Sequence, residues 1–134
     1  MRITATIEKS KDNLYSVYSD DHFGNSYFGG FGDSAREARE DFELSVREAL
    51  QEAKERGEDI PSIEEITITY KYDIRSLFSY FDFINVSKLA SYAGINESKM
   101  RQYKAGSSFP GSKTTAKIEK ALHKIGEEFI SLQL

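Results

Sequence analysis

Residues 86–106, Val86-Ser-Lys-Leu-Ala-Ser-Tyr-Ala-Gly-Ile-Asn-Glu-Ser-Lys-Met-Arg-Gln-Tyr-Lys-Ala-Gly106, leave the backbone little choice. Leu89, Ala90 and Ala93 fall on one apolar face of a first short helix, and the small side chain of Ala90 lets a second helix cross closely. Gly94 supplies the positive φ that ends the first helix. Ile95 plugs the turn, and Asn96 can cap the next helix by accepting an N–H bond from its first turn. Met100 and Tyr103 face back onto the first helix, and Gly106 stops the second. The segment reads as two helices joined by a tight turn.

This order of small residue, glycine, apolar, cap, apolar, apolar resembles the helix-turn-helix of phage-repressor-like regulators, which places its second helix in the DNA major groove. With Met100 taken as the inward direction and 100° per residue, Ser98 and Gln102 lie at about 160°, on the outward face. Lys99 and Arg101 flank them at about 100° on either side, whereas Lys104 falls about 40° from Met100, with its stem along the hairpin. Arginine can pair bidentately with guanine and glutamine with adenine, while serine bonds base or phosphate. Glu97 and Arg101 also have the i, i+4 spacing of an ordinary helix ion pair, which does not prevent Arg101 from reaching a base. The candidate DNA-binding residues are Asn96, Glu97, Ser98, Lys99, Arg101 and Gln102.

The charge distribution has the sense this reading needs. Residues 1–73 carry nine Lys and Arg against seventeen Asp and Glu, a net of −8, and residues 74–134 carry nine against five, a net of +4. The overall −4 of the 134-residue chain therefore hides an acidic half joined to a basic half. Basic surface attracts phosphates by counterion release; an acidic module suits a basic protein partner better. There is no cysteine, so disulfides and thiolate chemistry are excluded. Neither an apolar run of membrane-spanning length nor a basic-then-apolar leader is present, and a soluble cytoplasmic protein without membrane contact is expected.

The N-terminal half has period-two patterning. Arg2–Glu8 alternates, with Ile3, Ala5 and Ile7 on one face. Lys11-Asp-Asn13 is turn chemistry, and Leu14–Tyr18 makes a second strand of a hairpin. Asp20–Asn25 reads as a loop before a third strand, Ser26–Phe31, whose adjacent glycines point to a bend or a close backbone approach. Ser34 and Glu37 form a capping box that opens a helix, with Ala38, Phe42, Val46, Ala49, Leu50 and Ala53 on one face. Ile66–Tyr72 alternates again and closes the sheet.

This βββαβ order, with Gly32-Asp-Ser-Ala-Arg-Glu-Ala38 at the helix start, resembles the HicB family of antitoxins over nearly the whole chain, since many HicB proteins append a helix-turn-helix to such a module. The resemblance implies a partial ribonuclease-H-like sheet. It also implies that the protein neutralises a HicA-like toxin, a small basic ribonuclease with a catalytic histidine, and represses the operon encoding both. One departure is plain: where many members carry proline and cysteine before the glycine-aspartate turn, this chain has Phe28-Gly-Gly-Phe31.

A ribonuclease-H-like sheet raises the alternative of metal-dependent hydrolysis, which needs carboxylates converging from strand interiors. The first strand has none until Glu8 at its end, and the last has only Glu64 and Glu65 at its start. The acidic residues crowd instead onto the polar face of helix 34–56. His22 in its loop and His123 among lysines have no nucleophile or second ligand at a telling spacing. No enzymatic activity, metal or cofactor is expected.

Beyond Asp73 the period changes to about 3.6. Ile74, Leu77, Phe78, Phe81 and Ile84 form a short apolar helix, close behind the last strand, whose surplus aromatics Tyr80 and Phe83 offer a packing or dimer surface. Ser112 can cap a long helix to about Leu132, with Ile118, Ala121, Leu122, Ile125 and Phe129 on one arc and Lys113, Lys117, Lys120 and Lys124 opposite. The apolar end, Phe129–Leu134, points to a homodimer or higher homo-oligomer. The expected architecture is α+β: a βββαβ toxin-binding module over 1–73 and an all-α helix-turn-helix domain over 74–134. The expected function is an antitoxin that binds operator DNA and a HicA-like ribonuclease. A stand-alone regulator whose N-terminal module senses a ligand or drives assembly is the alternative.

Overall fold

The computed structural model describes residues 1–10 and 12–134; Lys11, part of the expected turn, lies outside the described residues. The fold is α+β, with a four-stranded mixed sheet and five α-helices among the described residues. It divides into two compact units, Met1–Tyr80 and Phe81–Leu134.

In the first unit β1 (Arg2–Lys9), β2 (Tyr15–Phe23) and β3 (Ser26–Gly32) form an antiparallel meander. Helix α1 (Ala35–Glu55) follows, then β4 (Thr67–Tyr72), which pairs parallel to β1, so the strand order is β3-β2-β1-β4. The alternation seen in the sequence puts Ile3, Ala5, Ile7, Val17 and Phe28 on the face that α1 covers with Ala38, Phe42, Val46, Ala49 and Ala53, all buried. Full burial of a side chain such as Phe42 contributes roughly 1.5–3 kcal/mol, and its ring meets Phe28 edge-on at 5.7 Å. Ser34 caps α1 by accepting from Glu37 N at 3.1 Å, while the Glu37 carboxylate accepts from Asp33 N at 3.1 Å. Gly30 is the close approach: a Cβ there would lie 2.5 Å from both Ala38 O and Phe42 N.

Two expectations for this unit are corrected. The strand β2 does not end at Tyr18 before a loop over 20–25; it runs on to Phe23 through an irregularity between Tyr18 and His22. There side chains replace the β1–β2 ladder. Ser19 Oγ donates to Thr4 O at 2.7 Å, and Asp21 Oδ2 accepts from Thr4 N at 2.9 Å. His22 accordingly sits on a strand, with its ring 4.7 Å from that of Tyr27.

The helix after β4 is shorter than its apolar pattern implies. Helix α2 covers Ile74–Tyr80, and the chain turns through 81–83 instead of remaining helical to Ile84. It belongs to the first unit, so the units divide after Tyr80 and not after Asp73. Asp73 explains why. One of its carboxylate oxygens accepts from Ser76 N at 2.8 Å, capping α2, and the other accepts from Lys9 N at 3.0 Å at the end of β1. Of the two surplus aromatics only Tyr80 is absorbed, its ring lying under the guanidinium groups of Arg36 and Arg39 at 4.6 and 4.7 Å beside buried Phe78, whereas Phe83 remains 76% exposed.

The second unit holds α3 (Val86–Ala93), α4 (Glu97–Ala105) and α5 (Ser112–Ser131). Helix α3 packs on both others, burying Val86, Leu89, Ala90, Met100, Tyr103, Ile118 and Ala121. Gly111, not Ser112, occupies the N-cap position of α5, and no side chain among the described residues caps it. Among the described residues no helix is long and apolar enough to cross a membrane.

Candidate nucleic-acid interface

Both ends of the α3–α4 connection are pinned by short-range chemistry. Gly94 adopts φ 72°, ψ 34°, and Ile95 N donates to Ala90 O at 2.8 Å, closing the C-terminus of α3. A residue with a Cβ would be strained in this left-handed conformation. Asn96 Oδ1 accepts from Lys99 N at 3.0 Å, which starts α4, and Gly106 at φ 81° ends it. Met100 and Tyr103 are buried against α3, so one side of α4 is fixed and the other is free to solvent. Asn85 caps α3 in the same way, accepting from Lys88 N at 2.9 Å.

The six sequence candidates divide into two groups. Ser98, Lys99 and Gln102 are exposed, and their side chains make no hydrogen bond or ion pair among the described residues. Asn96, Glu97 and Arg101 are engaged within the unit. The carboxamide oxygen of Asn96 serves the cap. Glu97 turns back toward α3, accepting from Ser91 Oγ at 3.0 Å and lying 3.8 Å from Arg101 Nη1. Arg101 Nη1 also donates to Ser87 Oγ at 3.4 Å. The Arg101–Glu97 pair is more than half exposed on both sides, so exchanging it for another anion costs little.

Sequence reasoning missed the neighbours that α3 brings to Arg101. Asn85, Ser87, Arg101 and Lys104 share the wall of a shallow depression of about 600 Å³. Lys104 is exposed and sits beside Arg101 as a second cation, although its helical angle places it toward the hairpin. Which residue at the start of α3 meets the last turn of α4 depends on the crossing of the helices, which no periodicity within either one encodes. No family model, curated protein or solved structure matches the chain.

The first unit presents a different surface. Tyr18, Tyr27 and Phe31 project from the sheet face opposite α1 and are exposed. Along the outer edge of β3, Gly29 N donates to Ser45 Oγ at 3.2 Å and Phe31 N to Asp41 Oδ2 at 3.0 Å. Side chains of α1 thus occupy amides that would otherwise invite another strand. Residues 1–80 hold ten Lys and Arg against seventeen Asp and Glu. Of the two carboxylates on the interior of β2, Asp20 and Asp21, the second already serves Thr4 and Ser19, and no group of three or more His, Cys, Asp or Glu converges among the described residues.

Proposed function

We propose that the chain is an antitoxin that also represses its operon, reading operator DNA through α4 and binding a basic ribonuclease through its acidic first unit. The observation that carries the DNA half is α4 itself. It is capped at both ends, anchored by buried Met100 and Tyr103, and exposes Ser98, Lys99, Arg101 and Gln102. In the major groove Arg101 would exchange Glu97 for a guanine, and Gln102 suits adenine. Lys99, Lys104 and Ser87 would hold phosphates, which position without specifying. Asn96 and Glu97 serve this reading chiefly by starting the helix and holding Arg101.

The antitoxin half rests on the resemblance to HicB proteins and on the acidic first unit. Its meander with β4 parallel to β1 is compatible with the partial ribonuclease-H-like sheet of that family. The exposed Tyr18, Tyr27 and Phe31 beside acidic α1 offer apolar contact and counter-charge to a basic surface. Action would be stoichiometric, by covering the toxin, and cytoplasmic, with two copies of the chain on an inverted repeat.

Two measurements test this. Arg101→Ala should cost about 1–3 kcal/mol on the cognate operator, whereas Lys99→Ala should weaken all sequences evenly and flatten the salt slope. Gel shifts at two salt concentrations check it, and a double variant with undiminished operator affinity would refute the DNA reading. Co-expression with the product of the adjacent gene should relieve toxicity and allow co-purification. An adjacent gene product that neither harms cells nor binds would favour a stand-alone regulator.

A further inference from the structure

We infer that two copies of this chain pair by crossing their α5 helices at Gly126. The first half of α5 packs inside its own unit through Ile118 and Ala121. The apolar stripe then continues beyond what that unit covers. Leu122, Gly126 and Phe129 fall within about 60° of one another around the helix axis. Leu122 and Gly126 are half-buried, but Phe129, Ile130 and Leu132 are 62%, 88% and 56% exposed. Contiguous apolar surface of this kind marks an interface.

Gly126 supplies the independent sign. Glycine inside a helix is destabilising relative to alanine, and here it relieves no crowding among the described residues, because a Cβ at this position would meet none of their atoms within 4 Å. A missing side chain in the middle of an apolar stripe lets a second helix backbone approach. The occupant is a second copy because no charged side chain lies on the stripe. Two copies meet there without like-charge repulsion, and a basic or acidic partner finds no counter-charge. Covering these residues completely on both chains would remove at most about 1,000 Å² from water, the size of a small, concentration-dependent interface. A two-fold pairing also makes each stripe its own complement.

This inference rests on the two-copy reading above, and one experiment on the full chain separates them. Sedimentation equilibrium over a micromolar concentration series should give a dimer for the parent chain. Gly126→Leu adds bulk at the crossing while improving helix propensity, and Phe129→Glu places a charge on the stripe. Each should raise the dimer Kd at least tenfold with helicity by circular dichroism unchanged, and Lys124→Glu, on the opposite side of α5, should leave it unchanged. A parent dimer indifferent to both stripe variants overturns the crossing alone; a parent monomer throughout overturns the crossing and the two-copy reading together.

Discussion

The adjacent glycines of β3 look alike in the sequence and behave differently in the fold. A Cβ on Gly29 would have Val17 O as its nearest neighbour, at 3.4 Å, a tight contact that a shift of tenths of an ångström relieves; one on Gly30 would lie 2.5 Å from two backbone atoms of α1. Backbone cannot rotate away as a side chain can. Gly30→Ala should therefore destabilise the first unit by about 1–3 kcal/mol or more, while Gly29→Ala stays close to the parent in thermal melting followed by circular dichroism. Equal melting of the two variants would contradict the close packing of α1 on β3. The expectation of a bend or a close approach was right in kind. Sequence pattern could not say which glycine bears the contact, because that depends on where α1 crosses the sheet.

Elements were most legible where one face repeats. The strands β1 and β4, helix α1 and the pair α3–α4 follow their periodicities, caps and glycines closely. Misreadings fall where a polar side chain replaces a backbone partner. Asp20 and Asp21 carry loop composition, yet Asp21 and Ser19 supply the hydrogen bonds that β1 loses at the irregularity of β2. Asp73 looks like a domain boundary and is a clamp between β1 and α2. The candidate site shows the same division: the exposed stripe of α4 follows from helix angle, but the company of Ser87 and Lys104 does not.

Where α1 meets β4, Tyr70 donates to Glu43 Oε1 at 2.7 Å, and Arg39 lies over the Tyr70 ring at 4.0 Å while donating to Tyr72 Oη at 3.0 Å. Burial first, then the bond to Glu43, hold the Tyr70 phenol protonated well above its ordinary value of 10.0; burial also raises Tyr72, against the opposing pull of Arg39. Phenols whose folded pKa is raised give stability that is complete below about pH 10 and is lost as pH climbs further. The melting temperature of the first unit should fall above pH 10, and Tyr70→Phe should soften that fall. An alkaline limb unchanged by this substitution would show that the phenol plays no part in it.

For the whole molecule, the division of charge between units makes a mapping prediction. Residues 81–134 carry eight Lys and Arg against five Asp and Glu, opposite in sign to residues 1–80. Hydrogen exchange with a short operator duplex should protect amides of 81–134, and exchange with a polylysine probe should protect those of 1–80. Duplex protection concentrated in 1–80 would reverse the assignment of the units. The parallel pairing of β1 with β4 bears on a different property, resistance to force. The ladder joins six residue pairs from Arg2↔Thr67 to Ile7↔Tyr72. A load drawn from the start of β1 and the end of β4 runs along the strands in opposite directions, so all the rungs bear it at once. A hairpin pulled from its open end breaks one rung at a time. Pulled apart at those two points, the first unit would hold as a clamp where a hairpin would unzip.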